Sequence, residues 1–348
     1  MEQAQTDRVA SSLMLDEIKA SGRPVVVSFS GGKDSTAMCI WIIKNKVPET
    51  NPVHWVFADT KWEHPSVYQY IQHINKTLLG GDLNYLSQER YPNGMIDIVK
   101  HRGRFPASNA RFCTSDLKIV PIRNFIREIA EQHAPLKPIN CVGIRAAESR
   151  SRSKLLEWEL GTNLERTQNK RGLCDTWRPG ISWLIEDVVR IHNDAGIEPC
   201  GLYLKDKNYS KRVGCYPCIF AHKRDIRIMA EEWPERIDQI RELENEVNQA
   251  RKERCDIDGG DIESKDYRPV SFFMSKDYHR TGDFTMPIDE VVSWSKTARG
   301  GKQFELELFA PTEEERGCEM WGLCELPDSP EQEAIQAANV LKDALKSE

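Results

Sequence analysis

Short apolar runs alternate with longer amphipathic ones through the first half of the chain. Pro24-Val25-Val26-Val27-Ser28-Phe29 is a β-branched run that stops at two glycines, and Ser35 to Lys44 then carries helical spacing. Val53-His54-Trp55-Val56-Phe57-Ala58 repeats the pattern, ending at Asp59-Thr60 before a helical stretch from about Pro65 to Leu79. Leu83 to Leu86 predicts a third strand. A helix around Pro121 to Gln132 leads into a further strand, Ile139-Asn140-Cys141-Val142-Gly143-Ile144. This alternation predicts an α/β fold built on a mostly parallel, doubly wound sheet with helices on both faces. Such sheets bind ligands beyond the carboxyl ends of their strands, where Ser30, Asp59 and Arg145 fall.

Beyond about residue 150 the pattern gives way to Arg-rich and Trp-containing loops, a helix near Trp183 to Ala195, and Gly214-Cys215-Tyr216-Pro217-Cys218. Lys223 to Glu253 is highly charged and reads as a solvated helix face. The remainder is Gly-rich and irregular, with a short helix near Pro287 to Thr297 and an exposed one at Glu331 to Lys346. The expected division is therefore a motif-rich nucleotide-binding domain over 1–225 and a smaller helical, irregular extension over 226–348.

A chain of 348 residues with 39% hydrophobic and 29% charged residues has the composition of a soluble globular protein, and no apolar run is long enough for a membrane span. Met1 to Lys19 is polar and lacks the apolar stretch of a secretory signal, so a cytoplasmic location is expected. The net charge of -6 argues against a uniformly basic coat and leaves local basic patches, at Arg102 to Arg111 and Arg145 to Arg152, as the places where DNA or ATP would be met. Ten cysteines in a reducing compartment favour metal binding or catalysis over disulfides. Cys39 and Cys141 lie in apolar runs and read as small core residues.

Ser30-Gly31-Gly32-Lys33-Asp34-Ser35, between a strand and a helix, suits an anion: glycines let backbone N–H groups converge, and the helix N-terminus adds positive potential. Lys33 adds a point charge. Ser30, Ser35 and Thr36 offer hydroxyls, and Asp34 suits Mg²⁺ or loop orientation. Walker A spacing is absent, which points away from γ-phosphate hydrolysis. The segment resembles the Ser-Gly-Gly-x-Asp-Ser signature of the PP-loop ATP pyrophosphatases, a HUP-like α-hydrolase superfamily. That resemblance implies ATP bound at Ser28, Ser30 to Thr36, Asp59, Lys118, Arg145 and Arg152, with Lys33, Asp34 and Arg145 catalytic. Lys61 stands where the superfamily commonly has Gly after Asp59-Thr60, which argues against a left-handed backbone there. His64 reads as a surface residue near a helix start.

Three further segments narrow the resemblance to the phosphoadenosine phosphosulfate (PAPS) reductase-like branch, and they keep its order. Arg111-Phe112-Cys113-Thr114-Ser115-Asp116-Leu117-Lys118 is similar to the sulfonucleotide reductases' Cys-Cys-x-x-x-Lys, with Thr114 in place of the second cysteine. Gly143-Ile144-Arg145-Ala146-Ala147-Glu148-Ser149-Arg150-Ser151-Arg152 is similar to their Gly-Ile-Arg-x-x-Glu-Ser segment, whose arginine forks suit phosphate or sulfate. Trp177 to Tyr203 leads on to a Gly-Cys-x-x-Cys at 214–218. Cys215 and Cys218 face one centre in such a turn, with Cys113 as third ligand by resemblance. Cys324, with Cys318 and Cys174 as competitors, is the fourth. The resemblance implies a 4Fe-4S cluster; zinc and a dithiol redox pair are the alternatives.

The reductases' C-terminal Glu-Cys-Gly-Leu/Ile-His nucleophile motif is absent, since Gly322-Leu323-Cys324-Glu325 has other order and no histidine. The chain looks closest to the ATP pyrophosphatases of DNA phosphorothioate modification, the DndC and SspD type. That implies adenylylation of the DNA backbone followed by sulfur transfer, with a cysteine desulfurase or other sulfur donor and partner proteins of a modification complex, and no membrane. A sulfonucleotide reductase and a non-catalytic nucleotide-binding module are the alternatives.

Overall fold

Val25–Ser28 (β1) occupies the middle of a six-stranded sheet with the order β3-β2-β1-β4-β6-β5. The computed structural model describes residues 13–108, 110–162, 172–203, 213–257, 269–274 and 285–297. Val53–Ala58 (β2) and Ile139–Val142 (β4) flank β1 in parallel, Val27 pairing with Trp55 on one side and Cys141 on the other. Leu83–Leu86 (β3) and Cys174–Trp177 (β6) extend the sheet in parallel, and Trp158–Thr162 (β5) closes it antiparallel with a register shift.

Strand parity assigns the two faces. Val25 and Val27 point into a core with Met38, Cys39 and Ile42 of α2 (Lys33–Lys44) and Val67, Ile71 and Ile74 of α3 (Pro65–Thr77). Val26 and Val56 point the other way, onto Ile126 and Ile129 of α6 (Val120–Gln132). A central strand buried on both faces explains the unbroken valine run. Helix 13–21 precedes β1 as α1, and Met95–Arg102 forms α4; neither is marked by the sequence pattern. The helix before β4 starts earlier than its periodicity suggests, running from Phe112–Thr114 (α5) through a π-helical stretch, Ser115–Ile119, into α6.

Two expectations change. The loops expected after residue 150 contain β5 and β6, and α7 (Ile185–Ala195) packs Ile185 and Val188 against Ala37. The charged run from Lys223 is two helices, α8 (Lys223–Glu232) and α9 (Pro234–Ile257), parted at Trp233-Pro234. Its charges cover one side only, because Ile226, Met229, Ile237, Ile240, Leu243 and Val247 form a stripe at three- and four-residue steps. That stripe builds a second core with Trp62, Tyr91, Ile98, Phe112 and Leu117. Glu244, buried within it, accepts the N–H of Phe272 at 2.8 Å and of Ile288, the first residue of α10 (Ile288–Ser295), at 3.0 Å. The helix expected at 331–346 lies outside the described residues.

Candidate functional site

The order of strands reverses between β1 and β4, so the loops leaving them open a crevice at the carboxyl edge of the sheet. After β1 the chain turns at Gly31, whose φ of +74° is left-handed and whose absent Cβ would meet Ile71 Cγ1 at 3.1 Å. Gly32 then caps α2 without a side chain. The hydroxyls of Ser35 and Thr36 both donate to the Gly32 carbonyl at 3.0 Å, and the Ser30 N–H donates to Ser35 Oγ at 3.2 Å. Thr36, fully buried, thus braces the loop from behind rather than facing a phosphate. Ser28 lies at the end of β1, half-buried.

Lys33 and Asp34 open α2. Lys33 is buried, its Nζ 3.7 Å from Asp34 Oδ2 and 5.1 Å above the Tyr203 ring centroid. Its carbonyl faces Nε2 of the buried His192 on α7 at 2.9 Å. From the other side of the crevice, β4 runs close enough to α2 that a Cβ on Gly143 would stand 3.0 Å from Ser35 Cα. That closeness brings Arg145, 1% exposed, to Asp34: its Nε donates to Oδ1 at 2.5 Å. Burial opposes ionisation of Asp34, but Lys33 and Arg145, with Arg152 beyond, outweigh it and hold the carboxyl below its ordinary range. Arg152 is ion-paired with Glu148, whose carboxylate also accepts the Arg145 N–H at 2.8 Å.

Asp59, at the end of β2, is buried and heavily engaged. It accepts the Lys61 N–H at 2.8 Å, the Lys61 ammonium at 2.6 Å and the Tyr68 hydroxyl at 2.7 Å. Lys61 has φ +56°, so the left-handed turn is formed without glycine; the Asp59 carboxylate holding its N–H supplies the compensation. His64 is not on the surface. It is buried, caps α3 through Nδ1 and packs edge-on against Tyr216 and Trp233.

Cys113, Cys215 and Cys218, the three cysteines named from the sequence, all lie within electrostatic reach of Lys118 on the π-helical stretch. Cys215, first, with Glu63, Cys218 and Cys113, raises the Lys118 pKa against its burial. Burial pushes the Cys215 thiol up to about 11 despite Lys118, and also raises Cys113. Glu63, buried and not singled out by the motifs, accepts from Thr60 Oγ1 at 2.7 Å and lies 3.9 Å from Cys215 Sγ. Cys174 does not join this group. It starts β6 at the amino end of the sheet, opposite the crevice, packed with Val26 and Ile126. Cys318 and Cys324 lie outside the described residues. Among the described residues no three His, Cys, Asp or Glu side chains are set to hold a metal ion. Cys113, Cys215 and Cys218 are all reduced thiols, half-buried around the Lys118 ammonium. No described helix is long and apolar enough to cross a membrane.

Glu63, Tyr68 and His192 are the site residues that motif reading passes over, while Tyr203 is named there only as the end of a motif series. Tyr203 and His192 touch the loop only through the tertiary fold, whereas Glu63 and Tyr68 lie within five residues of each other beside Asp59.

A family profile described as phosphoadenosine phosphosulfate reductase domain matches residues 24–221. An uncharacterized 37.8 kDa protein in the gpa 5' region of Escherichia phage 186 is 29% identical over 353 residues, 86% of this chain and 96% of its own. An uncharacterized nin region protein of Escherichia phage lambda is 34% identical over 124 residues, 29% of this chain and 41% of its own. Of solved structures, the PAPS reductase of Candida auris in its phosphate complex matches with TM-score 0.40 and 16% identity, covering 56% of this chain and 82% of that one. The FMN adenylyltransferase of Candida glabrata in complex with ATP matches with TM-score 0.37 and 13% identity, covering 60% of this chain and 62% of that one.

Proposed function

The chain belongs to the phosphoadenosine phosphosulfate reductase domain family, and from that premise we propose that it binds ATP on the Ser30 to Ser35 loop and splits it between the α and β phosphates. The observation that carries this reading is the pair of buried Arg145 with half-buried Asp34 at the mouth of a glycine turn that opens α2. The turn and the helix N-terminus offer N–H groups to the departing pyrophosphate, and Lys33 offsets its charge. Arg145, held by Asp34 and by Glu148 on its own N–H, would meet the α-phosphate, where charge grows as the bond breaks. Asp34 and Asp59 are the carboxylates that would hold Mg²⁺, whose chemistry is to neutralise the phosphates.

The acceptor in this reading is a DNA backbone phosphate, which AMP activates through a phosphoanhydride so that a sulfur nucleophile displaces AMP at phosphorus. Cys113, Cys215, Cys218 and one of Cys318 and Cys324 would hold a 4Fe-4S cluster, which would supply redox chemistry. Lys118 keeps a positive charge between the thiols and the acceptor's phosphate.

α-labelled ATP, an oligodeoxynucleotide and a persulfide donor test this. The expected products are AMP and a labelled, transiently adenylylated oligonucleotide. Release of sulfite from an adenosine phosphosulfate with a thiol reductant, without ATP cleavage, would instead identify a sulfonucleotide reductase; ATP binding with neither would leave a nucleotide-binding module.

A further inference from the structure

The Tyr68 hydroxyl stands between two carboxylates that serve different halves of the site. It lies 2.7 Å from Asp59 Oδ1 and 3.0 Å from Glu63 Oε2. A phenol carries one hydrogen, so a full hydrogen bond goes to one of them at a time.

Asp59 follows β2, the strand paired with β1 whose end leads into the Ser30 to Ser35 loop, and its remaining partners are the N–H and ammonium of Lys61. Glu63 looks toward the thiols, through Thr60 Oγ1 at 2.7 Å, itself 3.5 Å from Cys215 Sγ. Asp59, Thr60 and Glu63 are all buried, so water does not replace the phenol readily. Phe57 holds the Tyr68 ring edge-on with centroids 6.4 Å apart, which leaves its hydroxyl between the two carboxylates.

Resting on the ATP reading above, we propose that Tyr68 is a positioning residue that couples the nucleotide half of the site to the thiol half. A ligand group that occupies Asp59 turns the hydroxyl toward Glu63, and a change on the thiol side that draws Glu63 away returns it to Asp59. Binding on either side therefore shifts affinity on the other by the same factor.

The test is a double-mutant cycle on Mg·ATP affinity, measured by titration calorimetry on full-length wild type, E63Q, Y68F and E63Q/Y68F. The Glu63→Gln amide donates to the phenol oxygen and fixes its hydrogen on Asp59. E63Q then weakens ATP binding about three- to tenfold with the tyrosine present and less than twofold in the Y68F background. A general packing defect would give the same fold-change in both backgrounds, and that result overturns the coupling. If Y68F fails to fold, judged by its near-ultraviolet circular dichroism, Y68M, which likewise removes the hydroxyl, takes its place in the cycle with the same expectation. Wild type that does not bind ATP would overturn the proposed function together with the coupling; binding with equal shifts overturns the coupling alone.

Discussion

Arg145 Nε donates to Asp34 Oδ1 at 2.5 Å, joining the end of β4 to the first turn of α2 across the reversal in strand order. The pair spans 111 positions of sequence and makes the crevice one preformed unit. Replacing Arg145 by Ala should lower kcat/KM for ATP about 100- to 1000-fold, as removal of a donor to developing charge does. Replacing Asp34 by Asn takes one carboxylate from the 1% exposed guanidinium and should destabilise the fold by about 1 to 3 kcal/mol. Urea melts beside steady-state kinetics separate the two effects, and an R145A enzyme of unchanged kcat/KM would remove Arg145 from the chemistry.

Asp175 on β6 ties the starts of β1 and β4 to the far end of β5, accepting from Arg23 at 2.6 Å, Lys137 at 2.7 Å and the Gly161 N–H at 2.8 Å. Burial opposes its ionisation, but the Gly161 N–H, Lys137 and Arg23 prevail and hold its pKa below 3.8. With the folded pKa lowered, the unfolded chain takes the proton first on acidification. The contribution is therefore complete above about pH 4 and lost as pH falls through the folded value. D175N should cost about 1 to 3 kcal/mol at pH 7 and flatten the acid limb below pH 4. Chemical denaturation from pH 3 to 7 measures both; an unchanged acid limb would contradict the assignment.

Glu244 holds the 269–274 segment and the start of α10 by accepting two backbone N–H groups. E244A orphans both and should destabilise by about 2 to 4 kcal/mol. E242A, on the exposed side of the same helix, should stay within about 0.5 kcal/mol. Thermal melts of the two variants compare them directly, and equal melting temperatures would dismiss the clamp.

The proposed cluster predicts a selective pattern of metal content. After anaerobic purification, C113S, C215S and C218S should each lose most bound iron and the visible absorbance that goes with it, whereas C174S should keep both. Iron retained in C215S, or lost in C174S, would contradict the grouping.

Much of this arrangement is legible in the sequence where chemistry and periodicity coincide. Val53–Ala58 and Leu83–Leu86 occupy the spans their patterns predict, and the Ser-Gly-Gly-Lys-Asp-Ser segment sits at a strand end as expected. β6 is missed because Cys-Asp-Thr-Trp looks polar, and its aspartate is buried only through ion pairs made with distant residues. The stripe on α8 and α9 is hidden by the charges that outnumber it. Lys61 shows the limit of residue-type argument: a left-handed position forbidding in isolation is filled once a neighbouring carboxylate holds the N–H. The Tyr68 bridge depends on where the 59–64 turn lays Glu63 against the first turns of α3, which no periodicity encodes.

Phosphorus-31 NMR of ATP and Mg²⁺ incubated with the full-length protein and its acceptor tests the central claim most directly. The account predicts loss of all three ATP resonances with growth of AMP and pyrophosphate signals, abolished in K33A. Growth of ADP and orthophosphate signals instead would contradict it.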